Sequence, residues 1–200
     1  MGVPLRLSEN RGVALTFDDG PHPEGTPAVL ETLALRSATA TFFVVGEQVE
    51  RYPSLTAEIA AAGHQLAVHG YRHRNQMRLA PAQFAADLRR GVEVVGDAHG
   101  CRPRIYRPPY GIFTLAGLSV TRDSGLEPLL WSKWGRDWRA NTTAAQIAGL
   151  VSRNLGDSDV VLLHDADWYS SPGSHRRTAA ALPLILDVLE ERGLRTVSVD

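Results

Sequence analysis

Val13-Ala14-Leu15-Thr16-Phe17-Asp18-Asp19-Gly20-Pro21 is the stretch on which the fold turns. Its first five residues form an apolar run with a β-branched start and an aromatic end, the pattern of a buried strand. Gly20-Pro21 stops that run. Asp18 and Asp19 therefore stand where a strand opens into a loop. Two adjacent carboxylates repel, and burying either one unpaired is costly. A metal cation removes the difficulty: one carboxylate binds it while the other stays ionised nearby as a base. Asp-Asp-Gly is also an ordinary turn sequence, so the pair takes its meaning from the rest of the chain.

Further strand-like runs lie at residues 40–45, 65–69, 105–107, 128–132, 159–164 and 195–199. Helical patterns fill the intervals, at about residues 26–35, 53–62, 81–97, 113–124, 143–155 and 177–191. Thr26 with Pro27 reads as a cap and first helical residue, and Thr142 or Thr143 as a later cap. Strands alternating with helices imply parallel βαβ units. Seven short apolar strands suit an open doubly wound sheet or a closed barrel. Asp18, His69, Arg107 and His164 each end a strand. In a (β/α) barrel those ends share one face, where active sites lie; in an open sheet they would be strung along an edge. The expected fold is thus α/β, a (β/α) barrel of about seven parallel strands, with residues 1–200 as one domain.

Bulk properties narrow the function. A chain of 200 residues with 44% hydrophobic and 22% charged residues is long enough to bury a sizeable core. The net charge of −1 is not the basic footprint of a nucleic-acid binder. Cys101 is the only cysteine, which excludes an intrachain disulfide and reads as an incidental thiol. No stretch is long enough to span a membrane, and the N-terminus lacks a secretory apolar region. The chain would be cytoplasmic if complete. It sets no oligomeric state and is compatible with a monomer.

Four more segments carry chemistry. His69-Gly70-Tyr71-Arg72-His73 places two histidines at i and i+4, which chelate one metal from a helical turn. Asp19 with two histidines leaves open metal positions for water and substrate. Zinc fits these ligand types, as do cobalt, nickel, manganese or iron. Arg107-Pro108-Pro109-Tyr110-Gly111 offers a fork of donors for a carboxylate on a stiff loop. Residues 131–138 carry Trp131, Trp134 and Trp138; with Trp168 they fall on the same expected face, as aromatic walls suited to sugar rings or as core filling. His164 ends a buried strand at Leu162-Leu163-His164-Asp165 and is a candidate acid or base near neutral pH. His22, His64, His99 and His175 read as solvent-facing or structural.

Together these segments resemble the five motifs of the polysaccharide deacetylases related to the NodB chitooligosaccharide deacetylase, carbohydrate esterase family 4. The family's T-F-D-D stands at Thr16–Asp19, its H-(S/T)-x-x-H resembles His69–His73, and its R-x-P-Y matches Arg107–Tyr110. Its D-x-x-D-W is matched at the end only, by Asp137-Trp138, and its L-x-H by Leu162–His164. The order is the family order, over residues 16 to 164.

The resemblance implies a distorted (β/α) barrel and a metal-dependent hydrolase that removes acetyl groups from an N-acetylated sugar or polysaccharide. It implies metal ligation by Asp19, His69 and His73, and Asp18 as general base held by Arg107. It implies His164 as the acid, oriented by Asp137, and the backbone N–H of Tyr110 as an oxyanion donor. Tyr110, Trp134, Trp138 and Trp168 are the expected substrate contacts. Two departures stand out. Gly70 replaces a Ser or Thr that helps fix the histidine loop. Trp134 replaces an Asp at the rim, which points to a different substrate preference. The rival functions are O-deacetylation of xylan or of a small metabolite, a non-catalytic glycan-binding module and, more weakly, a phosphohydrolase.

Overall fold

The structure, a computed structural model, describes residues 2–9 and 12–199. All seven strands are parallel and belong to one sheet in the order β5-β4-β3-β2-β1-β7-β6. They are β1 Ala14–Asp18, β2 Thr41–Val44, β3 Gln65–Val68, β4 Ile105–Tyr106, β5 Glu127–Pro128, β6 Lys133–Trp134 and β7 Val160–His164. The helices are α1 Gly25–Leu35, α2 Gly46–Arg51, α3 Pro53–Ala61, α4 Pro81–His99, α5 Leu115–Asp123, α6 Ala144–Ser152 and α7 Ser174–Glu191. The expected barrel is present, curled and distorted as the resemblance implied. Among the described residues no helix is long and apolar enough to cross a membrane.

Side-chain alternation along β1 divides the interior. Leu15 and Phe17 pack in the large core between sheet and helices, with Phe42, Val68 and Leu163. Ala14 faces the barrel axis with Phe43, Ala67, Ile105, Val160 and Val199. Thr16 and Asp18 share the Ala14 face because strand side chains repeat every two residues. Register pairs Asp18 with His164 on one side and Phe43 on the other. One continuous apolar strand therefore delivers a carboxylate to the open end of the barrel.

The seventh strand is not where the sequence placed it. Of the run 128–132 only Pro128 lies in a strand, β5, and the next strand, β6, starts just past the run at Lys133. Leu129 N–H donates to Tyr106 O of β4 (3.1 Å) and Ser132 N–H to Val160 O of β7 (3.0 Å). This irregular segment thus crosses from one sheet edge, at β5, to the other, at β6, and bridges the gap in the distorted barrel. Residues 195–199 form a single bridge, Val13 to Thr196, and lie across the N-terminal end of β1. Buried Val199 plugs that end, so an apolar alternating run serves as a stopper.

Helix starts also shift. α1 begins at Gly25, and Thr26 is inside it; His22 Nδ1 accepts from the N–H groups of Glu24 (3.2 Å) and Gly25 (3.0 Å) in place of the expected cap. A Cβ on Gly25 would lie 1.9 Å from Asp165 O, so glycine is required where α1 meets the end of β7. α2 was not evident in the sequence; Tyr52, before Pro53, breaks the helical path between α2 and α3. Thr143 does cap α6, accepting from Gln146 N–H while Gln146 Oε1 accepts from Thr143 N–H (2.9 Å).

Candidate active site

The two aspartates enter one cavity by different means. Asp18 points inward by strand alternation. Asp19 would face outward in an extended chain, but its φ of 77° turns it back. Aspartate tolerates this left-handed backbone better than most residues. Gly20 follows because a Cβ there would lie 2.5 Å from Asp165 Oδ2.

Arg107 is fully buried on the barrel axis. Its Nη1 donates to Asp18 Oδ1 and Thr16 Oγ1, each at 2.7 Å. Its Nε and Nη2 donate to Leu129 O (3.3 Å) and Leu130 O (2.9 Å) of the crossing segment. The guanidinium carbon lies 3.9 Å from the Phe43 ring centroid. Burial pulls the Arg107 pKa down and Asp18 opposes that pull.

His69 and His73 converge on Asp19. His73 Nε2 lies 3.2 Å and His69 Nε2 3.4 Å from Asp19 Oδ1, while Asp18 Oδ2 is 3.8 Å from His69 Nε2. The segment from 69 to 73 is a loop with Gly70 at φ 89°, not the helical turn expected. His69 Nδ1 is 2.8 Å from Arg107 O. A proton on Nδ1 donated to that carbonyl leaves a lone pair on Nε2, the arrangement common in metal-binding histidines. Asp19 Oδ1 is buried and has no hydrogen-bond partner. Burial raises the Asp19 pKa, but His69, His73 and the charge of His164 outweigh it and hold the carboxyl well below the usual range.

His164 lies on the opposite wall. Its Nδ1 is 3.0 Å from Asp137 Oδ1, and its own N–H donates to Asp137 Oδ2 (2.7 Å). Thr178 Oγ1 on α7 donates to the same Oδ2 (2.8 Å). Burial opposes charging of His164, but Asp137, then Asp19 and Asp18, favour it and hold its pKa up to about 10.

The cavity between these walls has a volume of about 360 Å³. Asp18, Asp19, His69, His73, His164 and Leu162 line its floor, and Tyr110, Trp131, Trp134, Trp138 and Tyr169 its sides. Arg107 and Asp137 stand behind the residues they bind. Tyr110 and Trp134 are exposed, and Tyr110 has a strained φ of 63°. Trp168 does not line the cavity. It stacks on Tyr52 (6.1 Å, 9°), and its indole N–H donates to Pro21 O (3.2 Å). The sequence did not single out Tyr169, Thr178 or Asp165; each follows from packing, and only the adjacency of Tyr169 to Trp168 hinted at it.

Buried Asp165, next to His164, accepts from Thr26 Oγ1, and burial pushes its pKa up to about 7. Among the described residues, one other group brings three metal-ligand atoms within 4.8 Å: His22, Asp167 and His175. Two backbone N–H groups occupy His22 Nδ1, which places the ring proton on Nε2, facing Asp167 Oδ1 at 3.2 Å. That group reads as a hydrogen-bonded clamp on the loop after β7. His22, His64 and His175 are buried, hence structural rather than solvent-facing.

Comparison with known proteins places this geometry in context. The family model described as polysaccharide deacetylase matches residues 7–129. A chitooligosaccharide deacetylase of Azorhizobium caulinodans is 32% identical, over 96% of this chain and 95% of its own. A peptidoglycan-N-acetylglucosamine deacetylase of Bacillus cereus is 35% identical, over 94% and 85%. The solved family 4 carbohydrate esterase of Streptomyces lividans, in complex with acetate, superposes with a TM-score of 0.83 at 34% identity, covering 94% of this chain and 92% of that one. The family model spans β1 to β5 and the strand ends that carry Asp18, Asp19, His69 and Arg107, these relatives cover nearly the whole chain, and the chain belongs to the polysaccharide deacetylase family, carbohydrate esterase family 4.

Proposed function

We propose that this chain is a metal-dependent deacetylase that hydrolyses the N-acetyl amide of an amino-sugar residue in a glycan, with residues 1–200 as one catalytic domain. The observation that carries this reading is the unequal treatment of two adjacent aspartates. Arg107 holds Asp18, whereas Asp19 turns a buried, unpartnered oxygen toward two histidine nitrogens. Asp19, His69 and His73 fit a divalent cation by donor type, convergence and the tautomer of His69. Zinc suits this nitrogen and oxygen set best. Such a cation polarises the acyl carbonyl and acidifies water.

The chain's own groups do the rest. Asp18 Oδ2 takes a proton from the attacking water as the C–O bond forms. Arg107 on Oδ1 keeps that carboxylate aimed. The backbone N–H of Tyr110 donates to the developing oxyanion, a kind of contact worth about 3 kcal/mol. His164, protonated through Asp137, gives its proton to the nitrogen as the C–N bond breaks, which yields a free amine and acetate. Trp131, Trp134 and Trp138 supply the surfaces on which sugar rings stack. Trp168 supports the neighbouring loop instead of meeting substrate.

Acetate release from N-acetylglucosamine oligomers, peptidoglycan and acetylxylan tests the reading, with chelated protein and with zinc or cobalt restored. Metal-dependent release from the amide substrates is expected. Release from esters alone would replace it with O-deacetylation.

A further inference from the structure

The two histidines of the proposed metal centre are held in unlike ways. His69 has its ring fixed by a hydrogen bond from Nδ1 to a carbonyl. His73 Nδ1 is buried and has no hydrogen-bond partner. The outer hydrogen bond that normally orients a metal-binding histidine is missing on one of the two.

Aromatic rings take its place. Tyr169 stacks on His73 with centroids 4.1 Å apart and planes 7° apart. Tyr110 meets the same ring edge-on at 4.7 Å. Tyr110 is exposed and Tyr169 is not. The Tyr169 ring is itself anchored: its hydroxyl donates to Glu47 Oε1 (2.8 Å) and accepts from Gln48 Nε2 (3.2 Å), both on α2. The loop that carries Tyr169 is clamped two residues earlier. There Asp167 Oδ2 accepts from Gly173 N–H (2.6 Å), and His22 faces Oδ1.

We infer that Tyr169 is a positioning residue for His73, setting the ring plane of this ligand by stacking in place of a hydrogen bond. The inference rests on the proposed metal centre. A ring fixed in plane but free at Nδ1 keeps Nε2 aimed at the point that Asp19 Oδ1 also faces. Without the stack, His73 retains the edge contact of an exposed tyrosine and a looser tilted contact with the His69 ring at 5.3 Å, and it swings about its side-chain bonds. α2 and the clamp on Asp167 then serve the metal centre indirectly, by holding the tyrosine.

The test is zinc affinity by competition with a chromogenic chelator, with the visible spectrum of the cobalt-substituted protein as a second readout. Wild type, Tyr169→Leu, Tyr169→Phe, Glu47→Ala and Asp19→Asn are compared, and thermal melts of the chelated proteins control for folding. Tyr169→Leu is expected to bind zinc about 10- to 100-fold more weakly, as loss of an outer partner does, with an altered cobalt spectrum. Tyr169→Phe, which keeps the ring, is expected to stay closer to wild type. Affinity and spectrum unchanged in folded Tyr169→Leu overturn the inference. If that variant does not fold, Glu47→Ala decides: weaker binding supports the inference and unchanged binding overturns it. Wild type that binds no better than Asp19→Asn overturns the metal centre itself, a result distinct from an unchanged Tyr169→Leu.

Discussion

Arg107 reaches Asp18 from inside the barrel, Nη1 to Oδ1 at 2.7 Å, with both side chains buried. The bond occupies one carboxylate oxygen and leaves the other toward the cavity. Asp18→Asn keeps an acceptor for Arg107 but removes the basic oxygen. Turnover is expected to fall about 10²- to 10⁴-fold, the usual worth of a general base, while zinc content stays near wild type. Acetate release and metal analysis of one preparation check both halves, and full activity would remove Asp18 from the base role.

Asp137 holds His164 in its charged form, with a pKa up to about 10. A general acid works only below its pKa, so this interaction keeps the alkaline limb of kcat/KM at high pH. In Asp137→Asn the largest offset to the burial of His164 is lost, leaving only Asp19 and Asp18, and the limb is expected to move to lower pH. The pH profiles of the two proteins measure the direction. A limb that stays in place would mean that Asp137 does not set it.

Asp165 gives a pH dependence of opposite origin. Burial raises its folded pKa to about 7, against about 3.9 in an unfolded chain. Between those values the folded state holds more protons than the unfolded one. The contribution is therefore complete below about pH 4 and is lost as pH rises through about 7. Asp165→Asn is expected to flatten the fall in stability between pH 5 and pH 8, whatever its effect on the absolute value. Denaturant midpoints at both pH values decide, and an unchanged slope would exclude Asp165 as the source.

Trp134 is exposed on the cavity side and makes ring contacts with Trp131 and Trp138. Trp134→Ala is expected to raise KM for an oligosaccharide roughly 2- to 10-fold, the equivalent of about 0.5–1.5 kcal/mol for a ring contact. kcat on a small acetyl ester should change little. Equal losses on both substrates would place Trp134 in the chemistry instead of the glycan contact.

The sequence by itself determined the parallel α/β order, because buried strands and amphipathic helices announce themselves by apolar period. It also brought Asp18, His69, Arg107 and His164 to one face, since each ends a strand-like run. Tertiary structure alone decided which segment bridges the two sheet edges. Residues 128–132 and 195–199 are equally strand-like, yet the first crosses between sheet edges and the second plugs the bottom, because pairing depends on partners far away in the chain. The same holds for the site's outer layer. Thr26 looked like a helix cap and instead bonds Asp165, and Trp168 looked like a glycan contact and instead packs on Tyr52. Tyr169 carried no spacing signal, and its stack on His73 joins residues 96 positions apart. Local pattern records which face a side chain prefers; only the folded barrel determines what it meets there.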